Sequence, residues 1–298
     1  MRVACVVIAI CLAGCAAPRT LTTVVGPAVG LAQQRIEVEA ALAPLIEETR
    51  ARELQLTNKI GSLPAVDQER FYDAHWAYLI AAEDRVLRPL AEQGNAEAIH
   101  RIALRLRDSD DPRDVHLWLS LVTTAADKGH PSAHDELVRW YWHQRGDGSI
   151  TQLQANRSLA LDHAGKAAAA GQMHSIDRIA TYVAGDVHQY PASLPIARRL
   201  TELCADTGYA PCQERLATTQ PYDYGLGEAG RKVWRARFAG RTSIGLHNAA
   251  WAPATWSSLD QEWKGVKRDI LEHGASSVGT VGHCSTSTPW CRSNPRER

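Results

Sequence analysis

The hydrophobic positions of this chain fall into one short unbroken run and a long stretch at helical spacing. The run, Val3 to Leu12, is followed by two small residues and a cysteine. From Gln34 onward Ala, Leu, Glu, Arg and Gln dominate, the residues that enter helices at least cost. No sustained alternation of apolar and polar residues marks a strand. Pro44, Gly61 and Pro64 are expected to break an early helical region. Asp67 to Glu92 then reads as one long amphipathic helix with Asp67 as its N-cap. Leu259 to His273 reads as another, started by Ser258 and ended by Gly274. The expected fold class is all-α.

Internal similarity sharpens this picture. Four segments align without gaps around Gly94, Gly129, Gly171 and Gly208, spaced by 35, 42 and 37 residues. Three positions before each glycine stand Ala91, Ala126, Ala168 and Ala205. Four after it stand Ala98, Ala133, Ser175 and Cys212, and eight after it Ile102, Leu137, Ile179 and Leu216. A glycine just past a helix takes the left-handed conformation that ends it. Small residues on both sides let two helices approach, and the aliphatic residue enters a shared core. Each unit is therefore expected to be a helical hairpin that buries its face against its neighbours.

The Ala-x-x-Gly-x-x-x-Ala core and its period resemble Sel-one-like repeats, relatives of the tetratricopeptide repeat. Trp140-Tyr141-Trp142 before Gly146-Asp147-Gly148, and Tyr182 before Gly185, resemble that family's aromatic-then-glycine turn. The resemblance covers roughly Phe71 to Gln220 and is degenerate in the first unit, where Asp108-Ser-Asp-Asp-Pro112 replaces the turn glycines. It implies an α/α solenoid whose concave side holds a protein or peptide partner. Cysteine-rich bacterial members close a hairpin at the spacing of Cys204 and Cys212, so the resemblance implies a disulfide there. Buried free thiols are the alternative.

Arg2, the apolar run, and Ala13-Gly14 before Cys15 have the layout of a secretory leader. The run is too short to span a bilayer, which needs about 20 residues. Leu12-Ala13-Gly14-Cys15 also resembles the lipobox of bacterial lipoproteins, which implies that Cys15 becomes the first mature residue and carries the lipids. Ala16 in place of an acidic residue leans toward the outer membrane. With Cys5 and Cys11 in the leader, Cys204, Cys212, Cys284 and Cys291 remain as two local pairs, and an oxidising compartment favours disulfides. The chain thus divides into a leader (1–14), a lipidated cysteine and tether (15–33), an N-terminal helical region (34–66), a repeat array (67–220) and a basic, Trp-rich C-terminal region (221–298).

That last region follows an acidic body and holds five of the nine tryptophans: Trp234, Trp251, Trp256, Trp263 and Trp290. Exposed, they would form a binding surface; packed on the array, they would cap it. Signals for chemistry are sparse. Gly225-Leu-Gly227-Glu-Ala-Gly230 matches a dinucleotide fingerprint as a string but lacks its strand, and is expected to be a loop. His130 and His134 are four apart, but Pro131 places His130 before the helix. His283 beside Cys284 and Cys291 lacks a fourth ligand for zinc. Asp110, Asp111, Asp127 and Glu136 are dispersed carboxylates that could form a pair in space, but a solvated helical face is the expectation. No catalytic residue, cofactor or metal is expected, and nucleic acid is not an expected partner. The expected function is an envelope-anchored protein-binding or scaffold lipoprotein, with a periplasmic toxin-neutralising protein and a glycan-binding or enzymatic envelope protein as alternatives.

Overall fold

The structure is a computed structural model and describes residues 27–144, 149–185, 193–218, 224, 226–239 and 253–273. Among the described residues there are eleven helices and no strand, so the protein is all-α. In chain order these are α1 (Pro27–Ile60), α2 (Ala65–Glu92), α3 (Ala96–Leu106), α4 (Pro112–Asp127), α5 (Pro131–His143), α6 (Ile150–Ala169), α7 (His174–Gly185), α8 (Ser193–Asp206), α9 (Ala210–Ala217), α10 (Gly227–Ala239) and α11 (Pro253–His273). None of these is long and apolar enough to cross a membrane.

The four aligned glycines all adopt positive φ, between 83° and 94°. Each closes the first helix of a hairpin in the same way. The Gly94 N–H donates to the Ala91 carbonyl, Gly129 to Ala126, Gly171 to Ala168 and Gly208 to Ala205, at 2.7–2.9 Å. In the first three units the next N–H reaches back five residues: Asn95 to Leu90, His130 to Ala125 and Gln172 to Ala167. This is the Schellman closure, which satisfies carbonyls the helix leaves open. In the first two units the residue after the glycine also caps the second helix. The Asn95 side chain accepts from the Ala98 N–H, and His130 Nδ1 accepts from the Ala133 N–H. Ala98, Ala133, Ser175 and Cys212 are all buried, as are Leu137, Ile179 and Leu216.

Successive helices α2 to α10 pack on their chain neighbours. Two helices depart from this rule. α1 lies on α2 and α3, with Val38 and Leu42 buried against Leu87 and Ala98. α11 lies on α6 and α8. Trp234, Trp256 and Trp263 are buried in one cluster with Ile176, Leu200 and Leu203, so the C-terminal region shares the core of the last two units.

Several boundaries differ from the sequence reading. The segment read as tether to residue 33 is helical from Pro27; proline suits a helix's first turn, where no N–H partner is lost. Pro44 does not break α1. It removes one backbone bond, but Val38 and Leu42 before it and Leu45 after it enter one cluster, and this packing carries the helix across. α2 starts at Ala65 with Pro64 at the cap position, so Asp67 lies within the first turn, where its charge meets the helix dipole instead of capping. α11 starts at Pro253, so Ser258 lies inside it. Gly227-Glu-Ala-Gly230 opens α10 instead of forming a loop. Cys15, the 145–148 turn, Trp251, Gly274, His283, Cys284, Trp290 and Cys291 lie outside the described residues.

Candidate interaction surfaces

Three arrangements carry chemistry beyond the core: a polar ladder between units, a cluster of histidines, and an apolar face on the N-terminal hairpin.

The ladder follows from the repeat register. Six residues after the glycine, units two and three carry Asp135 and Asp177. Seven after it, units three and four carry Arg178 and Arg215. Each aspartate reaches the arginine of the next unit: Asp135 to Arg178 at 2.8 Å and Asp177 to Arg215 at 2.9 Å. The residue four after the glycine approaches the same carboxylate. Ser175 Oγ donates to Asp135 at 2.9 Å, and Cys212 Sγ stands 3.2 Å from Asp177 Oδ1. Burial pushes the Asp177 carboxyl up, and Arg215 opposes it. Cys204 and Cys212 form a disulfide. Asp177 and the two cysteines would suit a metal by ligand type, but sulfurs bonded to each other offer no thiolate.

The histidines sit between the first units. His130 Nε2 meets Glu97 at 3.0 Å. Because Nδ1 accepts the Ala133 N–H, the ring proton belongs on Nε2. This hydrogen bond, helped by Arg101, holds Glu97 down to about 2 against its burial. His100 stacks on His130 at 4.3 Å, and burial pushes it down to about 3. His134 Nδ1 and His163 Nδ1 are 2.9 Å apart, and Tyr141 stacks on His163. Burial pushes both down to about 4. A pair of neutral imidazoles shares this contact with one donor and one acceptor. These groups face one another across packed helices, an arrangement suited to joining units.

Between residues 46 and 80 the α1–α2 hairpin turns most of its largest apolar side chains outward, although Ile60 is buried. Its helices are joined there by polar contacts: Tyr78 OH donates to Glu48 at 3.0 Å, His75 meets Glu53 at 3.4 Å, and Arg52 lies over the Tyr78 ring. Meanwhile Ile46, Leu54, Val66, Tyr72, Trp76 and Ile80 are exposed, Trp76 to 62%. Tyr72, Trp76 and Ile80 follow one another at four-residue steps, which places them on one side of α2. A depression of about 450 Å³ further along α2 is lined by Ala81, Asp84, Arg85, Arg88, Pro89 and Glu92. It is open and of balanced charge, unlike the enclosed apolar pockets that hold small molecules.

The sequence-read candidates are placed as follows. Cys204 and Cys212 come together. His130 and His134 do not: one caps α5 and meets Glu97, the other faces His163. Of the carboxylates expected on a solvated face, Asp111 caps α4, whereas Glu136 is buried, because Arg107 and Arg139 pair with it. Sequence reasoning missed the ladder, whose signal was the constant offset of aspartate and arginine from the glycine. It also missed the exposed stripe, since Tyr72-x₃-Trp76-x₃-Ile80 has the spacing of a buried face. The chain matches no family model, no curated protein and no solved structure.

Proposed function

We propose that this protein is a cell-envelope lipoprotein, tethered through lipids on Cys15, that binds a protein or peptide partner on an α/α solenoid of Sel-one-like hairpins. Its role is to bind or scaffold, not to catalyse. The observation that carries the reading is the outward-turned apolar face of the α1–α2 hairpin. Isolated apolar residues on a surface need no explanation, but a run of large ones on one element marks a contact site. Trp and Tyr at its centre are the residue types that dominate binding energy at interfaces. A lipidated Cys15 and tether followed by a 34-residue helix of about 50 Å would set the hairpin tip well away from the lipid.

The test is photo-crosslinking in intact cells, with a crosslinker placed at Trp76 in the full-length lipidated chain. One dominant partner, lost on Tyr72→Ser with Ile80→Ser while the circular dichroism spectrum is kept, supports the reading. A captured set unchanged by those substitutions overturns it. Cys15→Ala is expected to release the chain from membranes, and a chain still membrane-bound after that change overturns the anchor.

A further inference from the structure

α11 packs out of chain order. It crosses the first helices of the third and fourth units, α6 and α8. Its inward stripe is Trp256, Trp263, Val266 and Ile270, all buried, with Gln261, Glu262, Lys264 and Arg268 facing water. The seat is shaped for it. A Cβ on Gly165 in α6 would stand 2.6 Å from Trp263 Nε1, so only glycine leaves room for the indole. A Cβ on Gly265 would stand 3.2 Å from the Arg199 guanidinium of α8, the movable end of a long side chain, so the steric demand for glycine lies on the α6 side at Gly165. Glycine inside a helix is disfavoured against alanine, and α6 is otherwise rich in buried alanines: Ala160, Ala164, Ala167 and Ala168. Charge matches at the flanks. Arg199 on α8 pairs with Asp269 at 2.8 Å and Glu262 at 3.7 Å, and Lys267 pairs with Asp162 on α6. Thirteen residues, 240–252, join α11 to α10, enough for about 43 Å of reach.

An amphipathic helix laid in a groove through anchors at i, i+3 and i+7 is a recurrent way of recognising a peptide. We propose that the face of α6 and α8 is a receptor for such a helix, that α11 is its resident occupant, and that a partner engages by displacing it. The fitting helix carries a tryptophan, apolar residues three and seven positions later, and acidic residues one position before and six after the tryptophan. This deepens the protein-binding reading above and rests on it for the identity of the ligand as a protein.

The probe is a fluorescent peptide of residues 253–273, added to the full mature chain. With Trp263→Ala and Ile270→Ala, which release the resident helix, it is expected to bind at least tenfold more tightly than to the unchanged chain. Gly165→Met in that background is expected to abolish binding. Excess peptide on the unchanged chain is expected to speed hydrogen exchange of the chain's own 253–273 amides, while α7 and α8 stay protected. Equal binding to released and unchanged chains overturns the proposal. So does loss of the cooperative melt on release, because an occupant can leave and a core helix cannot. An unchanged chain that dimerises and exchanges α11 between copies overturns the assignment to a partner in favour of a second copy. No cellular partner enters this test, so its failure is separate from a failed crosslink at Trp76.

Discussion

Register makes the single residue at position 212 informative. In the third unit Ser175 donates to Asp135. In the fourth, Cys212 holds the equivalent place beside Asp177 but is tied to Cys204. A disulfide sulfur has no proton to give, so the fourth unit exchanges that hydrogen bond for a crosslink. Closing a loop of this separation, eight residues, contributes about 2.5 kcal/mol in the chain-entropy account. A hydrogen bond to a charged group contributes about 1.5–3 kcal/mol. Cys204→Ala with Cys212→Ser restores the hydroxyl that unit three uses; Cys204→Ala with Cys212→Ala does not. The serine variant is expected to be more stable than the alanine variant by about 1.5–3 kcal/mol in urea titrations, and equal midpoints would show that Asp177 gains nothing from that position. The histidine pair predicts a pH dependence. A free imidazole titrates near 6.5, whereas His134 and His163 are pushed down to about 4. Between those values the unfolded chain takes up protons that the fold refuses. Stability is therefore full above pH 6.5 and is lost as pH falls toward 4, by at most about 1.4 kcal/mol per pH unit for each histidine. His163→Phe is expected to flatten the melting temperature profile in that window. A slope unchanged by it would place the titration elsewhere.

Between elements, the ladder is where this chain departs from purely apolar packing. Asp135 and Arg178 are mostly buried, with side-chain exposures of 8% and 21%. Removing one partner of such a pair leaves a buried charge and costs about 3–5 kcal/mol, while replacing both by apolar groups of similar size is close to neutral. Asp135→Leu alone is therefore expected to destabilise strongly, and Arg178→Met added to it to recover most of the loss. A double-mutant cycle by chemical denaturation reads the coupling, and additive losses would mean that Ser175 and the surrounding helices hold Asp135 without Arg178. The same scale shows what the sequence could reveal. The four hairpin turns were legible because a left-handed glycine and close-packed alanines are local demands that leave residue types at fixed offsets. The start of α1, its passage through Pro44 and the reach of α11 back to Pro253 were not. In the first two, long-range packing of Val38, Leu42 and Leu45 overrides local breakers, and packing has no fixed sequence signature. The fate of the tryptophans was open for the same reason: Trp263 is buried because Gly165, ninety-eight positions earlier, makes room, while Trp76, on an equally regular helix, is exposed.

Across the whole molecule the apolar core is divided, and the division predicts how the protein opens. The cluster around α1, α2 and α3 is small: Val38, Leu42, Leu87 and Ala98. A middle cluster joins Ile99, Trp118, Val122 and Leu137. The largest runs from Val138 through α6, α7, α8 and α9 into Trp234, Trp256, Trp263 and Ile270. In a chain whose units contact mainly their neighbours, local stability tracks each unit's own core and its interfaces. Opening free energies within one protein range from near zero to the global value. Native-state hydrogen exchange in low urea should therefore resolve at least two steps. Amides of α1 beyond residue 45 and of α2 up to Ile80 are expected to open first, because that part of the hairpin is joined by polar contacts and exposes much of its apolar side. Amides of α7 and α8 are expected to exchange only with global unfolding. A single opening energy across all helices would mean that the polar ladder couples the units into one cooperative block. In that case a contact made on the N-terminal hairpin would be felt at α11, which packs on α6 and α8. Two steps instead mean that the exposed hairpin face can yield to a partner while the disulfide-closed end and its resident helix stay in place.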